Sequence, residues 1–551
     1  MKTHLWKRIS LVLPLALTAC GSSTASSQGS PDASATMEAG TIGTPPGPAA
    51  ACPVVVSAAD CDTTQRPIVF VHGTYSSGGD IEHMAALLGS NGFCQDHIVA
   101  IDYDSVAASV TSMSGVDSPG ADCTAPNTPV GCGMIDAAID AILQKFPQFT
   151  QVDLMGHSQG TFHCGTYLAN HANKVAHYIN FSGIPDIGNV ETLSLSSQRD
   201  LFDCPHFATG TSICAFAQTA DGGSEAVPPA TQLAGECSVA ADGGTVYEGT
   251  DDGGTDGGPG CNVIQYELIH QDHFAVAASR DSFVQVYKYL TGKEPTYTEI
   301  QCGDDPVTVE GVTETFADNV PQQGTIEIRE VGPMPRNTST VMMATPDTTG
   351  HFGPIQLSRN VQYSFTSNAP NGTPIGYAYF SPFQRDNRLM RLLTPSSSSD
   401  GSPVGGIVAS ETFAKVVKSP STVVAIARWG QGGFRQDLGA SLTVNGVEVL
   451  DSANSGTQAA MTGASSGGLA PLQGGVAAIF MEDANMNGKT DLGLVYDTTF
   501  IAFTDVFISA SKPAFVDLSF TGGSEDPATV AMPLVIDNWP STQGLVYMMF
   551  Q

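Results

Sequence analysis

Val152-Asp153-Leu154-Met155-Gly156-His157-Ser158-Gln159-Gly160-Thr161 is the stretch that organises the chain. An apolar run leads into G-x-S-x-G, and a run compatible with a helix continues through Leu168. Strand, tight turn and helix in that order lift a serine hydroxyl out of the chain, because the flanking glycines allow a turn too tight for side chains. In a chain with 59 glycines the pentapeptide also arises by chance, so its neighbours decide what it means. Upstream, Pro67-Ile68-Val69-Phe70-Val71 is a continuous apolar run of the kind a parallel strand buried on both faces requires, and His72-Gly73 follows it. A helical stretch near Ile81 to Leu88 precedes a second strand, Ile98 to Tyr103. Met134 to Phe146 then sets Ile135, Ala138, Ile139, Ile142 and Phe146 on one helical face. Strands alternating with helices predict a mostly parallel sheet flanked by helices, spanning residues 51–297.

Ser158 needs a base, since a hydroxyl is a poor nucleophile at neutral pH. Of the twelve histidines, the base should sit between the last strand and the last helix. Ile264 to Ile269 is that strand, Ser282 to Leu290 the closing helix, and His273 is taken over His270, which lies closer to the strand. His157, inside the turn, is assigned to packing. The acid that orients the imidazole is read as Asp221, after an expected strand at Thr211–Ala217, with Asp186, after Ala176–Phe181, as the alternative. Backbone amides at Thr74 and Gln159 would hold the oxyanion, and Gly73 lets the first loop approach closely.

Four segments then resemble a known family: V-F-V-H-G at 69–73, D-L-M-G-H-S-Q-G-T at 153–161, K-V-A-H-Y-I-N-F-S-G at 174–183, and H-F-A-V-A-A-S with Y-L-T-G near 273–292. They look like secreted microbial lipases and esterases of the α/β-hydrolase superfamily, over roughly Arg66 to Pro295. H-F-G-P at 351–354 and F-Q-R-D-N-R-L-M-R-L-L at 383–393 look like the C-terminal domain of the two-domain lipases. In that subgroup an acid commonly closes the sixth strand; the matching place here is Ser182, next to Gly183. Around Asp221, T-S-I followed by A-D resembles the small single-domain lipases instead. The resemblance implies ester hydrolysis without a required cofactor, and a β domain that helps hold lipid or acyl chain.

Twenty-two basic residues against 54 acidic ones give a net charge of −32, which excludes nucleic acid as a partner. From Cys20 to Cys302 there are 7 basic and 31 acidic residues, net −24; residues 303–551 carry −11. Uncharged esters, such as acylglycerols, are therefore favoured over anionic substrates. Eleven of the 12 cysteines lie between Cys52 and Cys302, a density that suits an oxidising compartment, and the odd number leaves one thiol over, read as Cys164. Lys2, Lys7 and Arg8 precede a short apolar run ending in L-T-A-C-G, which resembles a bacterial lipobox. Residues 1–19 are thus expected to be a lipoprotein signal peptide, Cys20 the lipidated residue and 20–50 a flexible tether. The protein is expected outside the cytoplasm, anchored by lipid to a bacterial membrane or cell surface, or released from it. Residues 219–262 hold four Gly-Gly pairs, eight acids and no base, and are expected to form a loop insertion.

From about residue 298 short alternating strands with Gly, Asn and Pro turns predict an all-β sandwich region, as β domain 1 (298–400) and β domain 2 (403–551), or one composite. Arg385, Arg388 and Arg391 would group on a helix by their spacing of three, or pair with local carboxylates. Asp483, Asn485, Asn487 and Asp491 alternate as in a calcium loop, but Leu494 stands where the twelfth-position acid belongs, so a polar turn is preferred and calcium is the alternative. The expected activity is serine carboxylic-ester hydrolysis through an acyl-enzyme. Polyester or aryl-ester hydrolysis is the alternative within that chemistry, and a catalytically inactive surface binding or adhesion protein the alternative outside it.

Overall fold

The structure is a computed structural model that describes residues 54–73, 76–105, 132–183, 190–197, 263–268, 271, 273–316, 318–331, 340–395, 424–430, 432, 441–444, 447–448, 476–480, 501–505, 515–521, 533–537 and 545–550. The expected signal peptide with Cys20, the tether, the acidic insertion and the calcium candidates Asp483, Asn485, Asn487 and Asp491 lie outside them.

Among the described residues, six strands build the first sheet: β1 (Ile68–Val71), β2 (Ile98–Ile101), β3 (Val152–His157), β4 (Val175–Phe181), β5 (Glu191–Ser197) and β6 (Val263–Leu268). They lie in the order β2-β1-β3-β4-β5-β6, and every pairing is parallel. Side chains alternate across such a sheet. Ile68 and Phe70 therefore join the core beneath α1 (Glu82–Ser90), with Met84, Leu87 and Leu88, while Val69 and Val71 join the opposite core. That second core holds Ile135, Ile139 and Ile142 of α2 (Cys132–Lys145), and Tyr167 and Leu168 of α3 (Gln159–His171). A strand covered on both faces has no position for a polar residue, which is why the run from Ile68 to Val71 is wholly apolar. After β6 come the single turn α4 (Ala275–Ala278) and α5 (Arg280–Thr291). Ser279 caps α5 by accepting the Ser282 N–H, and Gly292 ends it in the left-handed conformation at φ 68°.

The strand between β4 and β6 is Glu191–Ser197, which the sequence reading passed over; the strand expected at 211–217 lies outside the described residues. Leu193 and Leu195 of β5 are buried in the core, and Ser194 is buried with a polar partner, its Oγ accepting from Asn180 Nδ2 at 2.9 Å.

The C-terminal region is all β. A three-stranded sheet, β7 (Val307–Thr315) between β10 (His351–Leu357) and β13 (Asn387–Thr394), packs on a larger sheet. That larger sheet contains β8 (Thr325–Glu330), β9 (Thr340–Ala344), β11 (Tyr363–Asn368), β12 (Pro374–Phe380), β14 (Val424–Trp429), β17 (Val476–Phe480), β18 (Ile501–Asp505) and β21 (Leu545–Phe550). Val309, Phe352 and Leu392 from one side meet Ile328, Phe365, Phe380 and Met549 from the other, forming a sandwich core. A further sheet pairs β15 (Ser441–Val444) with β16 (Val447–Glu448) and β19 (Phe515–Thr521), and β19 with β20 (Leu534–Asp537). The segments expected as two β domains share the large sheet, since β21 pairs in parallel with both β12 and β14.

The arginines at 385, 388 and 391 do not form a helical cluster. They lie on and just before β13, where a spacing of three sends side chains to opposite faces. Arg388 pairs with Glu310 on neighbouring β7 at 2.7 Å, whereas Arg391 is buried and reaches Asp102, after β2, with contacts of 3.0 and 2.6 Å. Arg428 of β14 reaches Asp80, Asn387 Nδ2 donates to Glu82 at 2.6 Å, and Arg385 donates to Ser90 Oγ at 2.8 Å. The β region is thus joined to the first sheet's loops by charge-assisted contacts taken out of water. Glu314 of β7 lies in this junction, fully buried and 3.6 Å from Arg391. Burial, and then the neighbouring Asp102, push its carboxyl well above the ordinary carboxylate range.

Cys61 is bonded to Cys94, and Cys302 is also disulfide-bonded. Cys164 is a free thiol, buried against β3 as expected, and burial raises its pKa far above the ordinary thiol value. Cys94 gathers with Asp96 and His97, but its sulfur is committed to the disulfide and is not a metal ligand.

Candidate active site

Buried β3 runs up the middle of the parallel sheet and stops at Ser158. Ser158 has φ 51° and ψ −121°, a conformation that a side-chain-bearing residue adopts only when its surroundings enforce it. Several contacts do so. The Ser158 N–H donates to the Phe181 carbonyl at the end of β4, and the Ser158 carbonyl accepts both the N–H and the hydroxyl of Thr161, at 3.0 and 2.6 Å. Gly160 lets the first turn of α3 cross the end of β1, because a Cβ there would be driven into the carbonyl oxygens of Val71 and His72. The result is a half-buried serine at the head of a thirteen-residue helix. Gln159 is that helix's first residue, so its amide belongs to the positive end of the helix dipole.

The loop leaving β1 runs alongside. A Cβ on Gly73 would lie 2.8 Å from the Ser158 Cβ, so only glycine lets this backbone approach so closely. Gly73 is held in turn by His72, whose Nδ1 lies 2.8 Å from the Gly73 carbonyl oxygen. The His72 ring is fully buried and stacks on Tyr103, with centroids 4.2 Å apart. Tyr103 gives its hydroxyl to the His72 carbonyl at 2.6 Å and its N–H to His72 Nε2 at 3.3 Å. Nε2 therefore accepts and Nδ1–H donates. Burial lowers the His72 pKa, which keeps the ring neutral, as these partners require.

His273 occupies the turn between β6 and α4 and is buried. His157 Nε2 lies 2.8 Å from the His273 carbonyl oxygen, and the two rings are 4.8 Å apart. The residue before Ser158 thus fixes the backbone of His273, the support role expected for His157. Gly73, His157, Ser158, Gln159 and His273 converge at the C-terminal ends of β1, β3 and β6, where ligands bind in parallel α/β sheets. Thr74, Asp186, Asp221 and His270 lie outside the described residues. Ser182, where the resembled subgroup keeps an acid, is buried at φ 47°, and its hydroxyl has no hydrogen-bond partner among the described residues. The Asp153–His177–Arg66 cluster, at 2.9 and 3.0 Å, sits at the opposite ends of the strands, far from Ser158 along β3.

Residues 66–328 match the alpha/beta hydrolase fold family, and residues 305–397 match the lipase C-terminal domain. The chain carries an α/β-hydrolase domain followed by a lipase C-terminal domain. Among solved structures, this hydrolase is similar to Aspergillus fumigatus lipase B, with 12% identity over 44% of this chain and 56% of that one and a TM-score of 0.25. A Bacillus licheniformis lipase in propeptide form gives 12% identity over 88% of this chain and 95% of that one, with a TM-score of 0.24. An extracellular α/β-hydrolase from a Paenibacillus species gives 18% identity over 22% and 43%, with a TM-score of 0.15. The hydrolase therefore spans about half the length of the Aspergillus lipase and less than half of the Paenibacillus enzyme. Comparison with curated protein sequences yields no match.

The strand order bears on where an acid expected to orient His273 would stand. Two strands separate β3, which ends at Ser158, from β6, which leads to His273, and the second of them is β5. The first carboxylates downstream of β5 are Asp200 and Asp203, which no sequence pattern singles out; Asp221 also follows β5, and Asp186 precedes it. All four lie outside the described residues.

Proposed function

We propose that this α/β hydrolase is a serine carboxylic-ester hydrolase, a lipase or esterase acting on uncharged acyl esters through an acyl-enzyme. The observation that carries this reading is Ser158 held at φ 51° on top of the central strand, with the glycine of the β1 loop against its Cβ and the His273 turn tied to its neighbour. In this mechanism Ser158 Oγ attacks the ester carbonyl and its proton passes to His273. An acid downstream of a sheet strand orients the imidazole, and the Gln159 and Thr74 amides hold the negative oxygen. His273 then returns the proton to the departing alcohol, and water repeats the sequence to free the acid. The acid excess of the catalytic half favours neutral substrates, and the lipase C-terminal domain supports a role in holding lipid or acyl chain. Purified protein should release p-nitrophenol from short and long acyl esters, and Ser158→Ala should reduce turnover by at least about three orders of magnitude. Equal rates in the two proteins would exclude the mechanism.

We further propose anchorage through a lipid on Cys20, on the strength of L-T-A-C-G after the basic leader. Palmitate labelling that persists in Cys20→Ser would overturn it.

A further inference from the structure

We propose that Asn319, a residue of the β region, is a positioning residue that locks the loop beside Ser158 in its catalytic geometry. The proposal rests on the serine-hydrolase reading for what that loop does in the reaction. Asn319 Nδ2 lies 2.8 Å from the Ser76 carbonyl oxygen and 2.9 Å from the Tyr103 carbonyl oxygen, and 3.3 Å from His72 Nε2. An amide nitrogen has two hydrogens, so the two shorter contacts are its hydrogen bonds. They join the loop leaving β1 to the loop leaving β2. Two carbonyl acceptors also set the orientation of the amide, since a flipped side chain would aim its oxygen at two other oxygens. Asn319 is buried, and its Oδ1 has no hydrogen-bond partner among the described residues. The side chain is thus used as a donor, and the price is a buried oxygen left unsatisfied.

The turn that presents Asn319 is built for the purpose. It follows β7, and Thr315 organises it: the Thr315 hydroxyl donates to Asp318 and accepts the Val320 N–H at 2.9 Å, and the Thr315 carbonyl accepts the Asn319 N–H at 3.1 Å. Asn319 has φ 50°, a left-handed conformation that asparagine tolerates better than most residues. On the other side of the contact, His72 grips Gly73 and Asn319 grips Ser76. The stretch of loop between those residues carries the Thr74 amide assigned to the oxyanion, so both of its flanks are tied and the second tie comes from the β region. A displacement of about 1 Å in such a group costs about a hundredfold in rate.

The test is Asn319→Gly in the full chain, which keeps the left-handed backbone and removes the donor, alongside Asn319→Asp, which keeps the size and turns the donor into an acceptor. Hydrogen exchange across residues 70–78 reads the tie directly and needs no activity. Kinetics read its consequence. A trifluoromethyl ketone takes up the Ser158 oxygen at its carbonyl carbon, the serine proton passing to His273 and the ketone oxygen becoming the bound oxyanion; the matching methyl ketone reports ground-state binding. We expect faster exchange in the loop with β3 unchanged, a kcat about 10- to 100-fold lower with KM within about threefold, and a trifluoromethyl ketone Ki raised by the factor lost in kcat. Methyl ketone binding should be unchanged. Unaltered loop exchange, a kcat within twofold of the parent, equal weakening of both ketones, or failure of both variants to fold would each overturn the assignment. A parent protein without esterase activity would instead sink the functional reading, while the exchange experiment still decides whether Asn319 holds the loop.

Discussion

Ser158 owes its position to the residues that surround it. Gly160 is the most demanding of these, because what a Cβ would strike is the backbone of β1 and not a side chain that can move. Gly160→Ala should therefore lose at least about 1–3 kcal/mol of stability and most activity, read as a lowered melting temperature and reduced ester turnover. His83 offers a different test. It is fully buried, its Nδ1 bonded to the Ala278 carbonyl at 2.8 Å, and burial pulls its pKa down to about 4. Between the unfolded value near 6.5 and about 4, the unfolded chain binds the extra proton, so the stability His83 contributes is whole above that window and is lost as pH falls through it. The loss is on the order of 3 kcal/mol by pH 4. In His83→Asn, whose amide can take over the bond to Ala278, the dependence of melting temperature on pH between 4 and 7 should be shallower than in the parent.

Among the elements, β1, β3, β4 and α2 were legible because burial left runs or a helically spaced face of apolar residues in them, and β6 because apolar residues recur from Ile264 to Ile269. β5 was not. Glu191-Thr192-Leu193-Ser194-Leu195-Ser196-Ser197 carries two leucines among serines, and buried Ser194 is bonded there by Asn180. No single-residue property announces such pairing. The place of the acid depends on β5, whereas Ser158 and the histidine turn follow from local pattern alone. With the strand order in hand, an acid downstream of β5 is expected to matter most. In a panel of Asp186→Asn, Asp200→Asn, Asp203→Asn and Asp221→Asn, one of the three downstream of β5 should lose about four orders of magnitude in kcat and Asp186→Asn little. A collapse in Asp186→Asn alone would reverse that order. The turn at Asn319 was equally hidden: nothing in Asp318-Asn319-Val320 foretells a contact with residues more than two hundred positions earlier.

The two halves of the protein are coupled through charges hidden from water. Arg391 faces Asp102 from across the junction and Glu314 from its own side. Arg391→Met would leave Asp102 without the buried cation that pairs with it and should cost about 3–5 kcal/mol, seen as a fall in unfolding midpoint. Glu314 makes the junction respond to pH. Its raised pKa means the folded protein holds a proton that the unfolded chain has released, so stability falls as pH climbs above the ordinary carboxyl range. Relative to the parent, Glu314→Gln should gain melting temperature steadily from pH 5 to pH 8, and a constant difference would show that Glu314 does not titrate in this way.

The place of β21 has a consequence for how the protein is made. This strand, residues 545–550, lies between β12 and β14, so its two neighbours in the sheet, made well before it, must wait for its residues to be synthesised. Until they leave the ribosome, two strand edges stand open where one sheet should be, and Arg428 on β14 lacks the neighbour that seats it against Asp80. Interrupted translation products would expose these edges to aggregation or proteolysis. A polypeptide that reaches β21 closes the sheet, which makes this strand an inspection step separating products cut short before residue 545 from those that pass it.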